Sequence, residues 1–168
     1  MIKIFLLMIW FLYKMKVQLT ADVSYEFKDP PRPWLAERKD RDVLIYAGHE
    51  DPSDPYEERI GLYPFKSNRP LYDYVLSKQD AASERAPEFE FVDFKNITVG
   101  DQTEDPNNAY NFIYKYRNDR FGTMKRAETY TKFGTYGLEI TLFAESEKYD
   151  LYEKDYNDLL QTVRFKQS

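Results

Sequence analysis

Residues 136–165 read YGLEITLFAESEKYDLYEKDYNDLLQTVRF, and two hydrophobic periods meet inside them. Tyr136, Leu138, Ile140 and Leu142 alternate with Gly137, Glu139 and Thr141, the period of two of a strand that buries one face. Tyr149, Tyr152, Tyr156, Leu159 or Leu160 and Val163 then recur at helical spacing. The chain is therefore expected to close with a strand that hands over to an amphipathic helix. The tyrosine stripe of that helix reads as core packing rather than as a cofactor site.

Upstream of this ending, Tyr110, Phe112, Tyr114 and Tyr116 form the cleanest alternating stripe, with Asn111, Ile113, Lys115 and Arg117 opposite. Asn118 to Gly122 reads as a hairpin tip, Thr123 to Thr131 as the returning strand, and Phe133 to Thr135 as the next turn. Phe89 to Val99 is strand-like, but its alternation slips near Asp93, which predicts a bulge or a bend. A helix is expected over Leu71–Gln79, with Ser67 or Asn68 as cap and Leu71, Tyr74, Val75 and Lys78 on one face; Ala81 to Glu88 reads as a polar connection. Before it lie strands at Val23–Phe27, Val43–Tyr46 and Arg59–Phe65, and Pro64 suggests an edge or an end of the last of these. Trp34, after the proline cluster Pro30-Pro31-Arg32-Pro33, is expected to lie as a lid over one end of the core, and Ala36–Asp42 reads as a charged connection. The order is strand, strand, strand, helix, four strands, helix. Links as short as those of the second half force antiparallel neighbours, so the fold class is α+β, a central antiparallel sheet flanked by helices.

The chain has 168 residues, enough for one domain with a substantial core. Fifteen tyrosines and twelve phenylalanines point to a core built from large rings. There is no cysteine, which excludes disulfides, thiolate metal sites, cysteine nucleophiles and a lipid-modified N-terminal cysteine together. Lys3 precedes an apolar run, Ile4 to Tyr13, followed by Lys14, Lys16 and the small pair Thr20-Ala21. Residues 1–21 are read as a cleaved signal peptide, too short in its apolar part to span a membrane, and 22–168 as the domain. The protein is expected to be secreted or periplasmic; translation starting at Met15 would make it cytosolic instead. Without residues 1–21 the chain loses three lysines and no acid, so its formal charge moves from −5 to −8. An acidic domain is not expected to bind nucleic acid.

These elements together, with the segment DPPRPW, strands at DVLIYAG and RIGLYPF, a helix at PLYDYVLSK, the tyrosine-rich strand and the ending above, resemble the PsbP-like superfamily. That superfamily includes the PsbP proteins of photosystem II, the Ran-binding Mog proteins and DcrB-like bacterial envelope lipoproteins. The resemblance covers most of Asp22 to Phe165. It implies a central antiparallel sheet between helices and a role in binding or assembly without catalysis. No single member's site carries over, because the match consists of hydrophobic patterns and turn placement.

Two segments are candidates for function. The hairpin from Lys115 to Lys132 carries Lys115, Arg117, Arg120, Lys125, Arg126 and Lys132 against only Asp119 and Glu128, with Phe121 at its tip. Lys115, Arg117, Arg120, Phe121, Lys125 and Arg126 are taken as a partner-binding surface for an acidic protein or an envelope complex. The plainer alternative is a solvated strand whose charges deter edge pairing. The second candidate is His49 to Glu58, which opens with the only histidine and is dense in acids. A carboxylate-based or metal-assisted hydrolase would place its site there, although the spacing fits neither a calcium loop nor a zinc site. Catalytic triads and glycine-rich phosphate loops are absent from the sequence, and no cofactor is assigned.

Overall fold

The computed structural model describes residues 14–28, 34–46, 56, 58–100 and 107–167. Seven strands form one sheet in the order β3-β4-β5-β9-β8-β7-β6, and three more form a second sheet in the order β1-β2-β10. Every neighbouring pair is antiparallel. The large sheet is built from β3 (Leu35–Lys39), β4 (Asp42–Tyr46), β5 (Arg59–Lys66), β6 (Glu90–Val99), β7 (Asn107–Asn118), β8 (Gly122–Phe133) and β9 (Tyr136–Glu145). The small sheet holds β1 (Lys14–Gln18), β2 (Val23–Lys28) and β10 (Arg164–Gln167). Two helices, α1 (Leu71–Arg85) and α2 (Tyr149–Leu160), complete the α+β domain.

The closing strand and helix form as their periods require, except that α2 ends at Leu160, and Val163, expected on its stripe, is buried beyond the helix. Leu138, Ile140, Leu142 and Ala144 of β9 are fully buried against α2, whose Tyr149, Tyr156, Leu159 and Leu160 are buried in turn. The Tyr156 hydroxyl donates to the Ile140 carbonyl at 2.8 Å and lies 2.7 Å from the Thr129 hydroxyl, so a ring sunk in the core leaves no polar atom stranded. The same core takes in Val17, Leu19, Tyr25 and Phe27 of the small sheet region, and Trp34 is buried as a member of it. The indole donates to Asp155 Oδ2 at 2.7 Å and meets Tyr152 edge-on at 5.6 Å.

On the opposite face of the sheet, α1 brings Val75 into a second cluster with Phe112, Tyr114 and Tyr130. Tyr74 stacks on Phe65 with ring centroids 4.3 Å apart and planes 5° from parallel. The Phe65 ring in turn lies across Gly137, its partner in the β5–β9 register, and a Cβ there would fall 2.1 Å from the ring. Glycine at 137 is what lets the ring lie flat on the sheet.

Several elements differ from the sequence reading, each for an identifiable reason. The helix α1 runs on to Arg85, through the segment read as a connection, because Ala81 and Ala82 favour helix and nothing opposes it before Pro87. No side chain caps its start; Pro70 occupies that position. The strand β3 lies where a charged connection was expected: Glu37, Arg38 and Lys39 are all exposed on a sheet edge, where no apolar alternation is demanded. Pro64 sits within β5, which lies between β4 and β9, but β4 pairs only with Arg59 to Leu62. Past Leu62 that side of the strand is open, and a residue without an N–H is tolerated. The register of β6 slips between Phe91 and Asp93, at the expected position.

The strand β1 falls inside the span read as a signal peptide. It pairs with β2 from Lys14↔Lys28 to Gln18↔Ser24, and Val17 and Leu19 are 0% and 2% exposed. A chain starting at Asp22 is therefore expected to be less stable than one starting at Lys14, by about 4–8 kcal/mol if each lost apolar side chain contributes as a core truncation does. Urea denaturation of the two truncations measures it, and equal midpoints would show that β1 contributes nothing.

Candidate functional site

The strands β7 and β8 form the basic hairpin, in the register Tyr114↔Arg126, Lys115↔Lys125 and Asn118↔Gly122. Alternation then separates the six residues of the predicted surface. Lys115, Arg117 and Lys125 share the face that carries α2, while Arg126 lies with Tyr114 on the face that carries α1. Lys115 Nζ is 3.7 Å from Glu90 Oε1 on the neighbouring β6. Lys125 Nζ sits 3.8 Å above the Tyr149 ring and 3.6 Å from Asp150 Oδ1, so its charge is engaged by the first turn of α2.

At the tip, Asn118 Oδ1 accepts from the backbone N–H groups of Arg120 and Phe121 at 2.9 and 3.0 Å, and Gly122 follows with φ +79°. This turn aims Phe121 back onto the protein. Its ring meets Tyr56 edge-on at 4.8 Å and is only half-exposed, which makes it a packing residue more than a free anchor. Tyr56 is itself buried, and burial pushes its hydroxyl up to about 12. Arg117 and Arg120 are exposed and have no acidic partner among the described residues. Lys132 is taken up elsewhere, donating to the carbonyls of Ser67 and Arg69 just before α1.

Arg126 belongs to a different site. Its Nε lies 2.7 Å from Glu128 Oε1, an ion pair without the alignment of a hydrogen bond, and its Nη2 donates to Glu139 Oε1 at 3.4 Å. Glu128 also accepts from the hydroxyls of Tyr114 at 3.0 Å and Tyr130 at 2.5 Å. Burial, reinforced by the Glu128 charge, holds both phenols well above the ordinary tyrosine value. Burial opposes the charge on Arg126, but Glu128 beside it carries the guanidinium above its usual value. For Glu139, burial and then the neighbouring Glu128 outweigh the attraction of Arg126, and its carboxyl is raised.

Above this network the C-terminal half of α1 leaves a cavity of about 370 Å³. Lys78 and Arg85 stand on its helical wall. The sequence reading missed this site, though one signal was present: Arg126, Glu128 and Tyr130 alternate on one strand with Ala127, Thr129 and Thr131, so the charged pair had to share a face with a core tyrosine. In the other candidate segment, His49 to Asp54 and Glu57 lie outside the described residues. Tyr56 and Glu58 are described, and among the described residues no group of three or more His, Asp or Glu side chains is placed to hold a metal.

No sequence family model matches this chain, and no curated protein does. Solved structures do share its fold. LpqN, involved in cell envelope biogenesis of Mycobacterium tuberculosis, superposes with a TM-score of 0.65 at 14% identity, over 92% of this chain and 91% of its own. A protein of unknown function from Pseudomonas aeruginosa, PA94, gives 0.61 at 15% identity over 89% and 95%. The cyanobacterial PsbP of Synechocystis sp. PCC 6803, CyanoP, gives 0.55 at 14% over 86% and 93%. The fold is PsbP-like, an α+β domain around an antiparallel sheet, as the resemblance in the sequence implied.

Removing the guanidinium leaves two carboxylates facing each other in a half-buried setting, so Arg126→Ala is expected to cost about 3–5 kcal/mol of stability. Glu139 binds a proton more readily folded than unfolded, so its contribution is complete below its ordinary value of 4.5 and is lost as pH rises through the raised folded value. Glu139→Gln should therefore gain on the wild type in urea midpoint at about pH 8 and show little difference at about pH 4. A gap that does not change with pH would show that Glu139 titrates alike in both states.

Proposed function

We propose that this protein is an exported, non-enzymatic accessory domain that engages a protein partner or an envelope complex through the β6 edge and the tip of the β7–β8 hairpin. One juxtaposition carries the reading. At the same end of the sheet, β6 exposes Phe91 and Val92, 48% and 40% accessible, and the hairpin presents Arg117 and Arg120 with no acidic partner among the described residues. Phe91 pairs across from Tyr114 and so lies on the α1 face, with Arg117 on the α2 face, and the surface wraps around this end of the sheet. Exposed apolar side chains together with arginines are the composition of a recognition surface rather than of an ordinary solvated rim.

The edge adds backbone groups to this surface. Among the described residues β6 pairs with β7 on one side only, which leaves its other side for an incoming strand, while the bulge at Val92 limits how long a flat pairing can run. Arginines on a chain of net charge −5 select for a partner that presents acids locally. Lys115 and Lys125 are already engaged with Glu90 and Asp150, which leaves Arg117 and Arg120 as the cations of the surface.

Export is supported by the apolar run Ile4 to Tyr13 behind Lys3, and by the likeness of the fold to LpqN, a protein of cell envelope biogenesis. Among the described residues no helix is long and apolar enough to cross a membrane. Val17 and Leu19 fill the core, so a cut after Ala21 would remove two core side chains that a chain starting at Lys14 or Met15 keeps. N-terminal mass analysis of the mature protein reads this directly.

Affinity capture from the envelope fraction tests the function. The wild type is expected to retain a stoichiometric partner that is weakened at least about tenfold in Arg117→Glu/Arg120→Glu and in Phe91→Ser. Equal recovery with both variants would remove the surface from the account. Turnover in a broad hydrolase screen, lost in His49→Ala, would replace the accessory role with the enzymatic one.

A further inference from the structure

The inward stripe of α1 changes character halfway along. Leu71, Tyr74 and Val75 are followed at helical spacing by Lys78, Ala81, Ala82 and Arg85. The first group clamps the helix to the sheet: Val75 is fully buried and Tyr74 lies flat on Phe65. The second group has small side chains at its centre and a cation at each end. Beneath it the helix leaves the cavity of about 370 Å³ unfilled, a size within the range of small-molecule sites. Tyr114, Tyr116 and Tyr130 line the sheet side, and Arg126, Glu128 and Glu139 carry its charge.

Most of the free bonding capacity here is that of donors. Glu128 already takes two tyrosine hydroxyls and the Arg126 contact, and Glu139 takes Arg126 and the Thr141 hydroxyl. Glu128 is spent on residues of the protein, and Glu139 receives both of its contacts at Oε1, which leaves Oε2 without a partner among the described residues. Arg126 Nη1, by contrast, has no acceptor among the described residues, and neither Lys78 nor Arg85 makes a contact ion pair there; the Lys78 charge acts on Glu139 at longer range, and Lys78 rests 5.3 Å over the Tyr74 ring. Counting these five side chains, three cations face two acids. Stability does not call for this arrangement, since an apolar set of similar volume at a half-buried ion pair is often at least as stable. A cluster that fixes an arginine from two sides below an open cavity is instead a pre-organised anion receptor.

We infer that the cavity under the C-terminal half of α1 binds a small planar organic anion. Its carboxylate or phosphate would lie among Arg126, Lys78 and Arg85, and its flat body against the tyrosine wall. The two acids orient the Arg126 fork, and the alanines provide the room. The site is distinct from the β6 edge and hairpin tip, and shares no residue with Arg117, Arg120 or Phe91.

Titration monitored at the alanine methyls tests this, with 4-hydroxybenzoate and phenyl phosphate as the two anionic arms. Inorganic phosphate serves as the anion without a ring and benzylamine as the ring with the opposite charge. At least one aromatic anion is expected to shift the Ala81 and Ala82 methyls with a dissociation constant of about 1 mM or tighter. The shift should be weakened about tenfold in Arg85→Glu, abolished in Ala82→Leu, which fills the cavity without altering charge, and unchanged in Arg117→Glu/Arg120→Glu. Arg85 is exposed on α1, so its variant is expected to stay folded. Silence of both methyls towards both aromatic anions at about 10 mM overturns the inference. So does benzylamine binding as tightly as the anions, and inorganic phosphate binding as tightly as phenyl phosphate overturns the planar part of it.

Discussion

A seven-stranded sheet has two faces to bury, and the middle strands of this one are buried on both. Ala127 to Thr131 of β8 form an unbroken buried run, as do Ile140 to Ala144 of β9. Neither strand could be stable with one cover, so the domain supplies two: α2 with the small sheet on one side, α1 on the other. The demand also explains the polar residues found inside. Thr129 is fully buried yet shares its hydroxyl with Tyr156 and accepts from Asn111 Nδ2 at 2.9 Å. Glu128, 4% exposed, is surrounded by two phenols and a guanidinium. Both Thr129 and Glu128 are placed where donors or acceptors from a covering layer or a neighbouring strand meet them.

The fold could be read from the sequence wherever one face of an element met the core and the other met water. The stripe of Tyr110 to Tyr116 and the handover from β9 to α2 were visible for that reason, and so was the bulge beside Asp93. Three strands were not. The strand β3 has solvent on its charged residues and so carries no alternation, and β10 is four residues long. In β1, Met15 and Val17 do alternate with Lys16 and Gln18, but the alternation follows directly on the apolar run Ile4 to Tyr13 and was absorbed into the reading of a leader. Local pattern alone cannot separate a targeting segment from the strand that abuts it.

The charges of the hairpin show the same limit. Counting lysines and arginines along Lys115 to Lys132 treats the hairpin as one surface, whereas strand geometry sends neighbours to opposite sides. Arg126 therefore faces the aromatic layer under α1 while Lys125, next to it in sequence, lies on the Tyr149 ring. Net charge of a segment is a property of the chain; the field at a site belongs to the face. The sequence signal for the cavity lay in two places read apart, the Lys78-Ala81-Ala82-Arg85 spacing and the alternation around Glu128, and only packing brings them together.

The small sheet has β2 at its centre, with β1 on one side and β10 on the other. Phe165 of β10 pairs across from Tyr25, so the contact joins residues separated by most of the chain. During synthesis β2 emerges early and holds an unsatisfied edge until Arg164 to Gln167 arrive, long after the hairpins of the large sheet have had time to close. In that interval its free backbone groups can recruit a strand from another chain. Assembly of this domain thus carries a period of exposure set by how late β10 becomes available, which the charges of β2 itself, Glu26 and Lys28, help to keep from ending in aggregation.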